Sequence, residues 1–138
     1  MTISTYSLQS AATSSEYRPG VCNIGPAEIA RRRMAGHVGL IATLALLAVL
    51  IVIDAPPVTR LLLVLPAAAS ASGYLQAWLK FCAGFGSRGI FNFGNVGESA
   101  TVADAEARAM DRRRSRQIGL RARAVGVVVG VVAVLLPV

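Results

Sequence analysis

Residues Met34–Ile53 read MAGHVGLIATLALLAVLIVI, a run without a single acid, lysine or arginine. A helix rises about 1.5 Å per residue, so a helix of this length crosses a hydrocarbon layer of about 30 Å. The run begins too far into the chain, and is too long, for the apolar region of a cleaved signal peptide. It therefore predicts a transmembrane helix, around which the other segments are arranged.

Two further apolar runs follow this one. Leu61–Leu79 also lacks formal charge, although it contains proline, glycine and glutamine, which weaken it as a span. Ala124–Val138 is short, and reaches across a bilayer only if Arg121 and Arg123 extend back along the helix to the headgroups. The sequence thus predicts three membrane-spanning helices, the third less strongly than the others.

The composition agrees with a membrane protein. Hydrophobic residues make up 54% of the chain and charged residues 15%, whereas a soluble domain carries about 25% charge. A net charge of +7 could indicate nucleic-acid binding. Binding of single strands also uses aromatic side chains for base stacking, and this chain has only one tryptophan and few other aromatic residues. We therefore expect no nucleic acid partner, and assign the positive charge to anionic lipid headgroups.

The stretches between the apolar runs predict the domain organisation. Asp54–Pro57, "DAPP", ends the first helix and makes a tight turn, because proline cannot continue a helix. Gly84–Ser99 is rich in glycine and is predicted to be an irregular loop. Thr101 with Asp104 resembles a capping box, which predicts a new helix running on into the third span.

The predicted fold class is therefore all-α and integral to a membrane. Residues 1–20 are expected to form a disordered polar tail, and residues 21–92 a two-span transmembrane hairpin. Residues 93–138 are expected to form a basic amphipathic helix on the cytoplasmic face that continues into the third transmembrane helix.

The distribution of basic residues predicts an orientation. Of the fourteen lysines and arginines, only Arg60 lies at the turn between the first two spans. By the positive-inside rule, this predicts a multi-pass protein of the bacterial inner membrane with a cytoplasmic N-terminus and the Asp54 turn outside. Five arginines next to the spans are expected to act as membrane anchors: Arg31, Arg32, Arg33, Arg121 and Arg123. Specific binding of an anionic lipid or of RNA is the alternative for the first three.

The residues around Pro26 also predict where the first helix begins. Gly25 is a suitable N-cap, and Pro26 fits the first helical position, where its missing N–H removes no hydrogen bond. Glu28 suits the helix dipole in the first turn, and can pair with Arg31 or Arg32.

Two groups of residues resemble a known family. The first has the spacing N-x-G-x-x-[DE]-x-x-x-R-x-x-x-G and comprises Asn23, Gly25, Glu28, Arg32 and Gly36. The second lies at the end of the second span and comprises Phe81, Cys82, Gly89, Ile90 and Asn92. Together they resemble the small bacterial YgaP-like two-span transmembrane domain family, which implies a helical hairpin that self-associates. The third helix has no counterpart in that family. The rhodanese domain that carries sulfur transfer in some members is missing from this sequence, so no reaction is implied.

Cys22 and Cys82 are the candidate redox residues. The predicted hairpin brings both to the cytoplasmic end of the first two helices, where they could form a redox pair, relay sulfur, or bind a metal with His37. Against this, there is no C-x-x-C motif and the predicted compartment is reducing. A single buried cysteine is also often an ordinary small apolar residue. We expect no metal and no cofactor.

Small residues at four-residue spacing predict close helix packing. They include Gly73 in the second span, and Gly126 and Gly130 in the third. Their partners are either helices of the same chain or a neighbouring chain. His37, about one turn inside the first span, is expected to bond a polar residue of the second span, with Gln76 as the predicted partner.

These observations favour a small, non-enzymatic scaffold or accessory subunit. Its expected partners are membrane lipids, a second copy of the chain or a larger membrane complex. The alternative from another class is a thiol or sulfur-relay protein using Cys22 and Cys82, and a weaker one is an oligomeric pore.

Overall fold

The computed structural model describes residues 17–138, so most of the predicted polar tail, residues 1–16, lies outside the described residues. The described chain is mostly helical. Its α-helices are α1 (Pro26–Val52), α2 (Val64–Leu79), α3 (Ala83–Arg88) and α4 (Ala105–Leu135), and a 3₁₀ helix, Pro57–Leu63, leads directly into α2. Two short strands, β1 (Ile90–Phe91) and β2 (Ala100–Thr101), pair antiparallel and are a small addition to the predicted all-α class.

Three helical segments are long and apolar enough to cross a membrane. They are Pro26–Val52, Pro57–Leu79 and Ala105–Leu135. The prediction of three spans is confirmed at this level of length and composition. The last segment is one unbroken helix from the arginine-rich stretch to the apolar end, as the sequence predicted.

The ends of the first span follow the local sequence. α1 begins at Pro26, with Glu28 in its first turn, as predicted. It ends at Val52, and Asp54 then adopts a positive φ of 53° that reverses the chain. Pro56 occupies the N-cap of the 3₁₀ helix and Pro57 its first position, where a missing N–H removes no helical hydrogen bond.

The segment after the second span is more ordered than predicted. The first part of the glycine-rich stretch forms α3, which Gly89 ends in the left-handed conformation, with a φ of 71°. The predicted start of the last helix at Thr101 is wrong, because Thr101 belongs to β2. Asp104 is the capping residue instead, and its carboxylate accepts the N–H of Ala107 at 3.1 Å.

The described chain divides into two compact units. The first comprises residues up to Arg31 together with Gln76–Gln117, and the second comprises Arg32–Leu75 with Ile118–Val138. In the first unit, Phe91, Val102 and Ala107 form a small hydrophobic core, against which Tyr17 and Phe93 pack. The second unit consists of the apolar parts of the three long helices and the turn at Asp54.

Candidate functional site

The first unit contains a cluster of buried polar side chains. Asn23 is fully buried, and its side chain bonds both backbone groups of Cys82: Oδ1 accepts the Cys82 N–H at 2.6 Å, and Nδ2 donates to the Cys82 carbonyl at 3.1 Å. The Asn23 backbone N–H also donates to the carbonyl of Lys80 at 3.3 Å. Asn23 thus holds the segment before α1 against the segment after α2.

Asn92 and Glu28 extend this cluster. Glu28 is fully buried, and its Oε1 accepts from Nδ2 of Asn92 at 3.2 Å. The same Nδ2 donates to the carbonyl of Asn95 at 2.7 Å, while Oδ1 of Asn92 accepts the N–H of Gly94 at 2.8 Å. The glutamate that the sequence placed at a helix start therefore also supports a loop 64 residues away.

Gly25 is required for this arrangement because of its small size. Its N–H donates to the Asn92 carbonyl at 2.8 Å, and a Cβ at this position would lie 2.8 Å from the carbonyl oxygen of Phe93. No side chain fits there without moving the backbone. The spacing Asn23, Gly25, Glu28 that suggested a family is thus a packing and hydrogen-bonding motif in this chain.

Asp111 is a second buried carboxylate in the first unit. It accepts the hydroxyl of Tyr17 on Oδ2 and the N–H of Gly20 on Oδ1, the latter at 2.7 Å. Tyr17 also stacks on Phe91, with ring centroids 4.9 Å apart. Burial, the hydrogen bond to Asp111 and that carboxylate's charge together raise the pKa of Tyr17 above its ordinary value.

The two cysteines come together in this unit, and both are free thiols. Cys22 is joined to Asn23, whose side chain bonds Cys82, so the two residues are neighbours in space. Cys82 is buried, and as the N-cap of α3 its sulfur accepts the N–H of Phe85 at 3.5 Å. Cys22 is half-buried, and its thiol lies 3.7 Å from the carbonyl of Ile24.

In the second unit, α1 and α2 pack closely as an antiparallel pair. A Cβ on Gly73 would lie 2.5 Å from the backbone nitrogen of Gly36, and a Cβ on Gly39 would lie 2.8 Å from the Cα of Ser70. The hydroxyl of Ser70 donates to the carbonyl of Gly36 at 2.8 Å. Small residues thus allow backbone contact along this interface, and a serine adds a hydrogen bond between the helices.

His37 bonds a tyrosine of the second span. Its Nδ1 lies 2.6 Å from the hydroxyl of Tyr74, and the two rings meet edge to face. The side-chain oxygen of Gln76, the residue predicted as a partner of His37, accepts the N–H of Ala83 at 2.9 Å. The sequence did not indicate Tyr74 as the partner of His37, because a tyrosine ring also fits an apolar span.

The glycines of the third span contact the second span of the same chain. A Cβ on Gly126 would lie 2.7 Å from the carbonyl oxygen of Val64, and one on Gly130 would lie 2.5 Å from the Val64 side chain. Gly126 also faces Ala68 and Gly130 faces Leu61, so the end of α4 approaches the start of α2. These two segments therefore run antiparallel.

Arg60 binds the C-terminal end of the third span. The sequence did not suggest this role. It is only 3% exposed, and Nη1 donates to the carbonyls of Ala133 and Leu136 at 2.9 and 3.1 Å. Nη2 donates to the carbonyl of Val138. The last carbonyls of a helix have no partner within the helix, and a cation there also interacts favourably with the helix dipole.

The predicted anchor arginines are mostly exposed. Arg31, Arg33, Arg121 and Arg123 are exposed, and Arg32 is half-buried. Within residues 17–138, no group of three or more histidine, cysteine or acidic side chains is placed to hold a metal ion.

Comparisons with protein-family models, curated proteins and solved structures give no match for this chain. The resemblance to the YgaP-like family therefore stays a prediction, and function has to be argued from the chain itself.

Proposed function

We propose that this chain is a multi-pass protein of the bacterial inner membrane, where it acts as a non-enzymatic scaffold or accessory subunit. The observation that carries the proposal is the outward-facing apolar surface of its long helices. In the most apolar stretch of each, only 17%, 28% and 28% of the residues are buried. The remaining surface needs lipid or the spans of another protein around it.

The use made of the buried polar groups supports a structural role. Asn23 bonds the backbone of Cys82, and Asp111 bonds Gly20 and Tyr17. These side chains fasten loops and helix ends together, which is how polar groups are satisfied in a packed interior. An acid or base at an active site would instead face a space that a substrate can enter.

The charges support a cytoplasmic N-terminus. Thirteen of the fourteen lysines and arginines precede the first span or lie between the second span and the apolar end of α4. Arg60, on the opposite side, binds the carbonyl of Ala133 in the last turn of α4 and that of Leu136 just after it. The Arg60 charge is therefore buried in the fold. It adds little positive charge to the loop at the Asp54 turn, where positive charge would oppose this orientation.

The proposed partners are anionic headgroups and either a larger membrane complex or a second copy of the chain. Because Gly73, Gly126 and Gly130 are occupied by contacts within the chain, association would use other faces. The exposed side chains of Ile41 and Leu65, 67% and 73% accessible, lie on such faces.

Labelling and purification together test the proposal. Ala55→Cys should react with an impermeant thiol reagent added to intact cells, while Val96→Cys, in the glycine-rich loop, should react only after the cells are opened. The tagged chain, purified from membranes in mild detergent, should carry the same membrane protein in repeated preparations, or a second copy of itself. Recovery in the soluble fraction, or labelling of Val96→Cys alone in intact cells, would contradict the proposal.

A thiol or sulfur-relay protein is the second candidate function. The proximity of Cys22 and Cys82 through Asn23 favours it, whereas the capping role of the buried Cys82 sulfur favours a structural use. Alkylation rates of the folded chain separate the two. A relay requires both thiols to react with a small maleimide on the timescale of an unfolded control, and a structural Cys82 should react far more slowly than Cys22.

A further inference from the structure

The second unit contains an apolar groove of about 480 Å³ between α1, α2 and α4. Small residues of α2, Ala67 and Ala71, line it. Its walls are leucines of α1 and valines of α4: Leu40, Leu44, Val125 and Val128.

The length of the groove suits a hydrocarbon chain. From Val125 to Leu136 it follows α4 for about 16 Å, at about 1.5 Å per residue. A narrow hydrocarbon chain fits the groove, and its length is close to one leaflet of a hydrocarbon layer of about 30 Å.

Basic residues stand at one end of this groove. Arg121 lies one turn before Val125 on the same face of α4, and Arg33 lies two turns before Leu40 on the same face of α1. Both arginines are exposed. α1 and α4 both run antiparallel to α2, so both arginines are at the same end. Helical side chains tilt toward the helix N-terminus, which directs both arginines away from the groove and toward headgroup level.

We propose that this groove is a binding site for one anionic phospholipid. An acyl chain lies along the valines of α4, and the headgroup phosphate meets Arg121 and Arg33. This lipid site goes beyond the proposed scaffold function. It rests on that proposal only in requiring that the chain lies in a membrane.

The test measures lipid retained by the full-length chain after reconstitution and re-extraction. The chain is reconstituted into vesicles of phosphatidylcholine alone, or with phosphatidylglycerol, extracted in mild detergent, and analysed by native mass spectrometry. The wild type should retain one phosphatidylglycerol in preference to phosphatidylcholine. Arg121→Gln should lower that preference about five-fold, the effect of one basic side chain near an anionic surface. Arg123→Gln, on a different face of α4, should leave it unchanged.

A second pair of variants tests the groove itself. Val128→Phe places a ring in the groove and should reduce retention of either lipid, while Val127→Phe, exposed but outside the groove, should not. Equal retention by the two phenylalanine variants, or no selectivity in the wild type, would overturn the lipid site. So would a disulfide between two copies of Val128→Cys, which would identify a second chain as the occupant. A wild type that resides in the membrane but lacks selectivity removes this proposal alone and leaves the scaffold role intact.

Discussion

Replacing Arg60 with methionine removes the guanidinium that binds one carbonyl in the last turn of α4 and two carbonyls just after it, while keeping an unbranched side chain of similar length. Three hydrogen bonds are lost, to Ala133, Leu136 and Val138. The bond to Ala133 is fully buried, and the other two are partly buried. The effect should therefore concentrate on the final turn of α4.

The magnitude follows from the buried bond. A hydrogen bond to a charged group contributes about 1.5–3 kcal/mol, and the partly exposed bonds add less because water replaces them. Removing the guanidinium also removes its desolvation penalty, and its Nε is buried without a hydrogen-bond partner among the described residues. We expect a net loss of about 2 kcal/mol, a factor of about 30 in the opening equilibrium of the final turn.

Hydrogen exchange followed by mass spectrometry, in detergent, measures this opening directly. The amides of the last turn of α4 should lose about 30-fold in protection in Arg60→Met, by the same conversion of energy to equilibrium. Amides near Ala105, at the other end of α4, should be unaffected. Arg60→Lys should be intermediate, because an ammonium keeps the charge but lacks the planar fork that reaches several carbonyls. Unchanged protection in Arg60→Met would refute the argument that the guanidinium holds the helix end.

Two other predictions concern a helix interface and a pH dependence. Gly126→Ala should destabilise the chain by about 1–3 kcal/mol, because its Cβ meets the Val64 carbonyl oxygen, whereas Gly119→Ala, with open space around it, should gain up to about 1 kcal/mol. Thermal unfolding of both variants in one detergent checks this, and shifts of the same sign would contradict it. Because the pKa of Tyr17 is raised, its contribution to stability is complete below about pH 10 and declines above it, where the unfolded tyrosine ionises first. Denaturant titrations between neutral and alkaline pH should show a flatter decline for Tyr17→Phe, along with lower stability at neutral pH from the lost bond to Asp111.

The spans were predictable because they depend on composition over a length. A charge-free run such as Met34–Ile53 has few alternatives once it is long enough for a bilayer. The start of α1 at Pro26 was also predictable, since capping depends on neighbouring residues. The continuity of α4 into its apolar end was predictable as well, because no proline and no glycine-rich stretch interrupts the sequence before Val125.

The polar contacts were not predictable, because each joins residues far apart in the sequence. Asn23 and Cys82 are both motif positions, yet nothing in the neighbouring sequence indicates that the Asn23 side chain bonds the backbone of Cys82. The binding of Arg60 to Ala133 spans 73 residues and depends on the register of α4 along α2. In the same way, the four-residue spacing of Gly126 and Gly130 predicted close helix packing. It did not indicate whether the partner helix belongs to the same chain or to a neighbouring one.

The position of Arg60 also bears on the proposed orientation. The positive-inside rule counts the basic side chains in the short loops on each face of the membrane. Arg60 is the one basic residue at the Asp54 turn, and its guanidinium is buried and bonded to Ala133 in the last turn of α4 and to the residues that follow it. A buried cation bonded to carbonyls that carry the negative end of a helix dipole is partly neutralised by them. The single exception to the charge pattern is therefore a weak objection to the proposed cytoplasmic N-terminus.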